Sequence, residues 1–538
     1  MKAGPQAAAT AVAVIAAATV LSHLPLFRAR YVQDDHVAVE RSSVVASGDP
    51  STILGASYWE GARGGDRTLY RPVTVASYAA ERAATGKANP HLSHAINVAL
   101  HAAVAWILFL VAVRAGIDPT ASLLAALLFA VTPSKSEAVA NVVGRAELLA
   151  ALFTLGAVRL SLESGKRAAA WAAAFCVLLA CGSKETGIVA LPLVAMAALA
   201  SPRRKLLDAA NMVAPSILAF TIFVVLRTRA LQAFFPPQVV PAIDNPLIAE
   251  HGLRVVATAL GLVARYAQLI VLPVRLANDY SCASIPIEPS LLAFRPLIGA
   301  ALLGALVWIA TRGRFAALFA AVALFPYLLV SNLFVPVGAI FAERFLYLPV
   351  AGISLLLGLG LAKLAKGARV ACAVVVVLFG GAMYLRSLDW RNDATVFTAT
   401  SNNNPRSPRA WLWLGKPDRA IDCCPQFAAG WHDQGVALAR SGDLPGAERA
   451  LREAARLDPT RTAPHLNLGI VLHRRGDLAA AEREVHKATL LEPDNARAFA
   501  ELGRLRSEAG NRPGAADAYR RAIALGRSDL LPRLREVE

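Results

Sequence analysis

The sequence predicts an all-α protein in which a polytopic bundle of membrane helices is followed by a soluble α-solenoid. Hydrophobic residues make up 56% of the 538 residues and charged residues 17%, whereas soluble domains contain about 45–50% and about 25%. Apolar runs of helix length recur through residues 1–390, and a repeat of 34 residues occupies the C-terminal part. The composition excludes a disordered chain, a collagen and a small disulfide scaffold.

The membrane part contains about 12 apolar runs, each predicted to cross or enter the bilayer as a helix. The first run follows Lys2 and is longer than the apolar core of a signal peptide, which favours a retained membrane helix. The runs span residues 7–27, 92–113, 119–133, 138–160, 168–182, 186–200, 208–226, 252–272, 296–311, 314–331, 346–363 and 369–386.

The orientation of the bundle follows from short loops rich in Lys and Arg, which face the cytoplasm. The basic residues of these loops are Arg159, Lys166 and Arg167; Arg203, Arg204 and Lys205; Arg312 and Arg314; and Lys363, Lys366 and Arg369. This rule places loop 28–91 and the chain after residue 387 on the external side. The alternation of sides fails once between 206 and 295, where the run 252–272 is either a span or a re-entrant segment.

The C-terminal part repeats with a period of 34 residues. The glycines that recur at this spacing are Gly435, Gly469 and Gly503, and also Gly442, Gly476 and Gly510. Small residues let two helices pack closely, and the second set of glycines suits the turn between them. The pattern resembles tetratricopeptide repeats. It predicts three full repeats over 429–526, a linker with a truncated repeat over 391–428 and a tail over 527–538.

The charge and the cysteines exclude other classes. The net charge of +17 is attributed to cytoplasmic loops and anionic lipid, because no basic stripe with interleaved aromatic residues indicates a nucleic-acid partner. The six cysteines predict neither a disulfide framework nor a metal site. Three lie in apolar runs, Cys282 is alone in a loop, and Cys423 and Cys424 are adjacent and badly placed to pair with each other.

An acidic pair, Asp34 and Asp35, closely follows the first membrane helix. Adjacent carboxylates repel, so one of them can have a raised pKa, which suits a general base or a metal ligand. The alternative is a solvated acidic pair in a loop. Arg71 lies in the same external loop and is either a phosphate clamp or an interfacial side chain.

Polar residues also interrupt the apolar runs. His94, Asn97 and His101 share one helical face, which indicates either a wet cavity or hydrogen bonds between helices. The ionisable residues near the outer ends of other runs are Glu137, Arg145, Glu147, Lys184, Glu185, Glu343 and Arg344. Their convergence on one membrane face suits a lipid-phosphate substrate with its tail in the bilayer. A proton-coupled transporter is disfavoured because no inverted repeat of broken helices occurs.

These residues belong to short motifs that follow one another in a fixed order. The motifs are Asp34-Asp35, Tyr70-Arg71-Pro72, His94-x-x-Asn97-x-x-x-His101, Phe129-Ala130-Val131-x-Pro133, Glu137-Ala138-Val139, Val143-Gly144-Arg145-Ala146-Glu147, Ser183-Lys184-Glu185 and Ala342-Glu343-Arg344-x-x-Tyr347-Leu348-Pro349. In this order, and followed by the repeats, they resemble the transmembrane and tetratricopeptide-repeat protein O-mannosyltransferases of the GT-C fold. The resemblance covers most of residues 1–390. Thr132 and Lys135 flank Pro133 where relatives often carry histidines.

The resemblance implies an inverting transfer of a sugar, mannose, from a polyprenyl-phosphate donor to Ser or Thr of a protein at the external face. It implies that Asp34 or Asp35 is the catalytic base. Charge then predicts that the donor phosphate is bound by Arg71, Arg145, Lys184 and Arg344. Supporting roles are expected for His94, Asn97, His101, Glu137, Glu147, Glu185 and Glu343.

The implied partners are the lipid-linked sugar, membrane lipid and acceptor proteins held by the repeats. No resident metal is predicted, although a divalent cation stays open. The alanine- and arginine-rich composition is typical of a GC-rich bacterial genome, which predicts the inner membrane and periplasmic repeats. Two alternatives stay open: a GT-C transferase that modifies a lipid or a glycan, and a non-catalytic membrane scaffold that displays the repeats.

Overall fold

The computed structural model describes residues 5–60, 68–163, 167–201, 205–233, 240–334 and 336–538. Within these ranges every regular element is a helix, which confirms the predicted all-α class. The chain divides into two compact units. The membrane unit comprises Met1–Tyr280 and Ile285–Asn404, and the repeat unit comprises Ser281–Ser284 and Pro405–Glu538. Lys166, Arg203 and Arg204, which contributed to the predicted orientation, lie outside the described residues.

The helices of the membrane unit are numbered in chain order, with short 3-10 and π turns between some of them. They are α1 (Pro5–Ser22), α2 (Ser43–Ser47), α3 (Pro50–Gly55), α4 (Pro72–Thr85), α5 (Pro90–Arg114), α6 (Pro119–Val131), α7 (Ser136–Ala140), α8 (Arg145–Ser161), α9 (Arg167–Ser183), α10 (Ala190–Ala200), α11 (Leu206–Leu231), α12 (Leu253–Val271), α13 (Phe294–Ala310), α14 (Arg314–Val330), α15 (Tyr347–Leu361), α16 (Lys366–Asp389) and α17 (Asp393–Asn403).

Among the described residues, five helices are long and apolar enough to cross a membrane. They are α5, α11, α12, α16 and the span Glu343–Leu361, which contains α15. The count is six if the bent pair of Pro119–Val131 and Pro133–Ala140 is one span, broken by 55°. Five further apolar helices have 10–17 residues. The membrane character of the chain is therefore evident, and the predicted number of about 12 spans stays a prediction.

Local sequence signals place the helices that carry the site. Asn89 caps the N-terminus of α5, because its side chain accepts from the backbone N–H of Leu92. Pro90 lies in the first turn of the helix. Asp118 and Pro119 begin α6 in the same way. Close packing then depends on small residues, because a Cβ on Gly352 of α15 would collide with the backbone of Phe319 and Ala323 in α14.

The repeat unit contains three helix pairs of the length expected from the 34-residue period. Its helices are α18 (Pro408–Trp413), α19 (Pro417–Cys423), α20 (Ala428–Ser441), α21 (Leu444–Leu457), α22 (Thr462–Arg474), α23 (Leu478–Leu491), α24 (Ala496–Glu508), α25 (Arg512–Ala524) and α26 (Leu531–Val537). The pairs are α20–α21, α22–α23 and α24–α25. The short helices α18 and α19 occupy the segment predicted to hold a truncated repeat.

The Gly-Asp or Gly-Asn pair in each repeat has two separate tasks. Gly442 has φ 91° and ends α20 in a left-handed conformation that favours glycine. Asp443 then begins α21, because its side chain accepts from the backbone N–H of Gly446 at 2.9 Å. The equivalent pairs in the next two repeats are Gly476-Asp477 and Gly510-Asn511.

A disulfide joins Cys282 to Cys424, both within the repeat unit. This corrects the prediction that Cys282 is alone and that the cysteines form no disulfide. The bond spans 142 residues of sequence, so spacing could not reveal it. In the sequence Cys282 lies between α12 and α13, far from the other residues of the repeat unit. Disulfides persist in oxidising compartments.

Cleavage of the chain between these cysteines is expected to leave the fragments joined until a reductant is added. A protease site inserted after Gly313, in the exposed turn between α13 and α14, allows the test on a denaturing gel. Wild-type fragments migrate together without reductant and apart with it, whereas those of Cys282→Ser separate in both conditions. Cys423→Ser is the matched control, and separation of its fragments without reductant would instead assign the bond to Cys423.

Candidate active site

Asp35 is completely buried and acts as an acceptor for backbone N–H groups. Its carboxylate accepts from Val143 at 2.8 Å, from Val142 at 3.3 Å and from Val32 at 3.2 Å. Residues 142–144 form the turn directly before α8. Burial raises the pKa of Asp35 to about 7, against the lowering effect of the three N–H groups, and the neighbouring Asp34 raises it further. Asp35 therefore joins the loop that follows α1 to the start of α8.

Asp34 is only half-buried, in contrast to its neighbour. Its carboxylate acts electrostatically on Tyr58 and on Arg344. The loop that presents it is held by Asp393 at the start of α17, which accepts from the backbone N–H of Gln33 at 2.9 Å. The second oxygen of Asp393 contacts Nε2 of His36 at 3.0 Å. The structure thus leaves Asp34, of the two predicted candidates, near solvent and near the cations.

Arg145 is fully buried with its hydrogen-bond donors engaged. Its Nη2 forms an ion pair with Glu81 at 2.9 Å and also donates to the carbonyl of Ser93 at 3.1 Å. Its Nε donates to Oδ1 of Asn97 at 2.9 Å, and its guanidinium lies 4.7 Å from the centre of the Tyr78 ring. These contacts join α4 to α5 and α8.

The polar face of α5 is used for contacts between segments of the membrane unit. His94 contacts the carbonyl of Arg30 at 3.1 Å. Asn97 donates to carbonyls of the 139–142 segment, and His101 contacts the Tyr347 hydroxyl at 2.8 Å and the Ala130 carbonyl at 2.9 Å. Of the two interpretations left open by the sequence, the described contacts favour hydrogen bonds between helices.

Three cation–carboxylate pairs lie together near Asp34. Nη2 of Arg71 lies 2.7 Å from Glu185, Lys184 pairs with Glu147, and Arg344 pairs with Glu137. The pairs form one electrostatic cluster, because Lys184 interacts with Arg71 and Arg344, and Asp34 acts on Arg344. We call Asp34 and these six residues the charged cluster.

The cations of the charged cluster differ in accessibility. The side chain of Arg344 is 39% exposed, that of Arg71 is 14% exposed and that of Lys184 is 10% exposed. A guanidinium that pairs with one carboxylate retains further N–H donors. Arg344 is therefore the cation best placed to meet a ligand, and Glu137 orients it by also accepting from its backbone N–H at 3.0 Å.

The hydrogen bonds of Glu343 are made to residues outside the charged cluster. Glu343 is fully buried and accepts from the backbone N–H of Ala277 at 2.6 Å and from the Tyr280 hydroxyl at 2.7 Å. Nη2 of Arg386 lies 3.7 Å away. Glu343 therefore ties the segment after α12 to the start of the span that contains α15.

Sequence reasoning missed residues that complete the site. Glu81, the partner of Arg145, and Asp393, which holds the Asp34 loop, carried no local signal, because their partners are distant in the sequence. Lys135 is buried beside His101, with Nζ 3.1 Å from Nε2 and 4.5 Å from the centre of the Phe129 ring. Among the described residues no group of three or more His, Cys, Asp or Glu side chains is arranged to hold a metal ion.

Because of Asp35, the membrane unit is expected to lose stability as the pH rises from 3.8 to about 7. The ordinary pKa of 3.8 rises to about 7 in the folded state. In this window the folded state holds a proton that the unfolded chain has lost, so rising pH removes stability, and above the window the effect is constant. Thermal unfolding in detergent from pH 4 to pH 8 measures the trend, and Asp35→Asn should lack this component. Parallel curves for the two proteins would contradict the assignment.

Comparison with known proteins finds relatives in the family that the motifs resemble. Protein O-mannosyl-transferase TMTC3 of Mus musculus is 28% identical over 431 residues, covering 72% of this chain and 46% of that protein. Protein O-mannosyl-transferase TMTC4 of Mus musculus is 28% identical over 452 residues, covering 72% and 61%. The homologues of this chain are TMTC protein O-mannosyltransferases. The family resemblance drawn from the sequence is thereby confirmed.

The relatives are longer than this chain, which spans about half of the length of TMTC3. Protein O-mannosyl-transferase F38B6.6 of Caenorhabditis elegans is also 28% identical, over 62% of this chain and 46% of that protein. A family model described as Tetratricopeptide repeat matches residues 438–505. A thermophilic TPR protein of Thermus thermophilus is 25% identical over 30% of this chain and 93% of its own, with a TM-score of 0.22, which is too low to support an argument.

Proposed function

We propose that this chain is a GT-C membrane glycosyltransferase that transfers mannose from a polyprenyl-phosphate donor to Ser or Thr of proteins at the external membrane face. The observation that carries the proposal is the charged cluster, in which the half-buried carboxylate of Asp34 acts electrostatically on Arg344, and Lys184 interacts with both Arg344 and Arg71. A base beside phosphate-binding groups is the arrangement that this transfer requires. The activity for which the homologues are named supports the same class of reaction.

The proposed reaction is a single displacement. Asp34 accepts the proton of the acceptor hydroxyl, whose oxygen bonds to C1 of the sugar on the side opposite the phosphate. The bond between C1 and the phosphate oxygen breaks, the sugar inverts at C1, and polyprenyl phosphate leaves with the bonding electron pair. Arg344, assisted by Arg71 and Lys184, stabilises the charge that develops on this phosphate.

The other predicted site residues position this machinery. We assign Asp35, Arg145 and Asn97 to holding the external loop and the start of α8, because each is completely buried and hydrogen-bonded. We therefore propose phosphate binding for Arg71, Lys184 and Arg344 rather than for Arg145. Glu137, Glu147 and Glu185 orient their cations.

The repeats are proposed to bind the acceptor or a partner protein, since extended helical repeats offer concave binding surfaces. The proposed location is the bacterial inner membrane, with the repeat unit on the periplasmic side. Two observations support that side: the basic loops predicted to be cytoplasmic, and the disulfide within the repeat unit, which suits an oxidising compartment.

The experiment is transfer of radiolabelled mannose from polyprenyl-phosphate mannose to protein in membranes that contain the wild-type chain. Protein-linked label that is released by β-elimination is the expected product. Label found in lipid or glycan instead would support the alternative of a GT-C transferase that modifies a lipid or a glycan. No transfer from any polyprenyl-linked sugar would support the scaffold. Deletion of 405–538, combined with Cys282→Ser, is expected to change which proteins are labelled while the chemistry persists.

A further inference from the structure

A groove of about 650 Å³ lies between α12 and α13, away from the residues that the mechanism uses. Its walls are mostly apolar and include Ala264 and Ala267 of α12 and Ile298 and Leu302 of α13. Two arginines, Arg265 and Arg295, and the carboxylate of Glu288 also line it. The groove thus combines an apolar channel with a small charged group.

The packing of the two helices builds the groove. α13 approaches α12 so closely at Gly299 that a Cβ there would collide with the Leu260 backbone. At the next residue of α12, a Cβ on Gly261 would lie 2.9 Å from Cγ of Glu288. Glu288 is also fixed by its backbone N–H, which donates to Thr258 at 3.0 Å. The Glu288 carboxylate is therefore held at a defined place in the groove, whereas the side chain of Arg295 is 47% exposed.

The charges in the groove leave an excess of one cation. Oε1 of Glu288 lies 3.6 Å from Nη1 of Arg295, and Arg265 is within electrostatic range of both residues. Two guanidinium groups against one carboxylate give a formal charge of +1. The charged cluster, by contrast, has three cations against four carboxylates when Asp34 is included. The excess cation in the groove attracts an anion.

The position of the groove favours a lipid. An arginine within a candidate membrane span such as α12 indicates a functional site. Arg295 lies in the first turn of α13, and Arg312 follows the last turn, which the basic-loop rule places in the cytoplasm. Arg295 then lies at the external end, beside Phe294, which is 77% exposed. A phosphate at this level can remain attached to a chain in the bilayer.

We propose that the groove between α12 and α13 is a docking site for the head of a polyprenyl phosphate, with the phosphate on Arg265 and Arg295 and the first isoprene units along the apolar walls. The choice of a polyprenyl tail rests on the proposed function. A single chain fits a channel between two helices, and a sugar-bearing phosphodiester carries the one negative charge that the excess cation offsets. Guanidinium groups bind phosphate oxygens through paired N–H donors.

The groove is connected to the charged cluster through one helix. Tyr266, next to Arg265 in sequence, stacks on Phe341 with ring centres 4.2 Å apart. Its hydroxyl lies 3.3 Å from the backbone nitrogen of Ala342 and within electrostatic range of Arg344. The groove and the charged cluster thus meet at neighbouring residues of α12, which suits a site for donor loading or product release.

The test measures how tightly the protein binds an isoprenoid phosphate that carries no sugar. The full chain is reconstituted in phosphatidylcholine nanodiscs, and radiolabelled geranylgeranyl phosphate is the probe, with geranylgeraniol and empty nanodiscs as background. Arg265→Gln and Arg295→Gln are each expected to weaken binding about tenfold or more, since each removes a charge-assisted contact. Arg312→Gln, at the other end of α13, is the matched control and should bind as the wild type does.

A second variant keeps the test decisive if an arginine variant does not fold. Ala267→Phe fills the apolar channel without changing charge, and it is expected to weaken binding similarly. Unchanged binding in folded Arg265→Gln and Arg295→Gln would overturn the proposal. Displacement of the probe by equal amounts of phosphatidylglycerol would also overturn it, by showing a general anionic-lipid site. Arginine-dependent binding in a chain that transfers no mannose would uphold the groove while the proposed function fails.

Discussion

Asp34→Asn is expected to reduce mannosyl transfer by about 10²–10⁴-fold, the usual contribution of a positioned general base. The amide keeps the shape of the side chain but cannot accept the proton of the acceptor hydroxyl. Asp34 is half-buried, whereas its completely buried neighbour Asp35 accepts from the backbone N–H groups of the turn before α8. The protein should therefore fold normally. The measurement is the rate of protein-linked label per amount of chain in the membrane.

Asp35→Asn is the matched comparison for this prediction. The substitution changes the acceptor for the backbone N–H groups of Val32, Val142 and Val143. It is expected to lower the amount and thermal stability of the folded chain more than the rate per folded molecule. A larger loss of rate in folded Asp35→Asn than in Asp34→Asn would reverse the assignment. Probe binding to the groove should be unchanged in Asp34→Asn, because that residue is proposed to act on the acceptor.

Arg145→Met is expected to destabilise the membrane unit by about 3–5 kcal/mol, the range found when one partner of a buried ion pair is removed. The Glu81 carboxylate would then remain buried without its counter-charge, since the Arg145 and Glu81 side chains are 0% and 4% exposed. The double variant Arg145→Met/Glu81→Gln should recover part of the loss. Thermal unfolding in detergent and the yield of folded protein give the measurement.

The chain offers a matched control for Arg145 on the same helix. Arg159 in α8 pairs with Glu163, and these side chains are 27% and 36% exposed. Exposed pairs contribute about 0–1 kcal/mol, so Arg159→Met should change stability little. If Arg145→Met is as stable as Arg159→Met, the buried pair does not hold α4, α5 and α8 together. The phosphate-binding role that charge alone predicted for Arg145 would then need to be reconsidered.

The sequence alone singled out the members of the charged cluster as candidates and predicted none of their pairings. The charged positions stood out because ionisable residues are rare in apolar runs. Which cation meets which carboxylate depends on how distant helices pack. Arg71 is separated by 114 residues from Glu185, and Arg344 by 207 from Glu137. The same limit applies to Cys282 and Cys424, whose pairing contradicted the prediction of an isolated cysteine.

By itself the sequence determined those features that depend on residues close to one another in the chain. Apolar runs, helix-starting residues and the 34-residue period depend on neighbouring residues, and they predicted an all-α membrane part followed by helical repeats. Only the tertiary structure distinguishes the surroundings of Asp34 from those of Asp35, because burial is a property of the packed chain. Asp35 accepts from backbone N–H groups of a turn 107 residues away, and Asp34 acts electrostatically on Arg344. Adjacent residues of identical chemistry thus acquire different surroundings, because distant segments cover Asp35 and leave Asp34 half-buried.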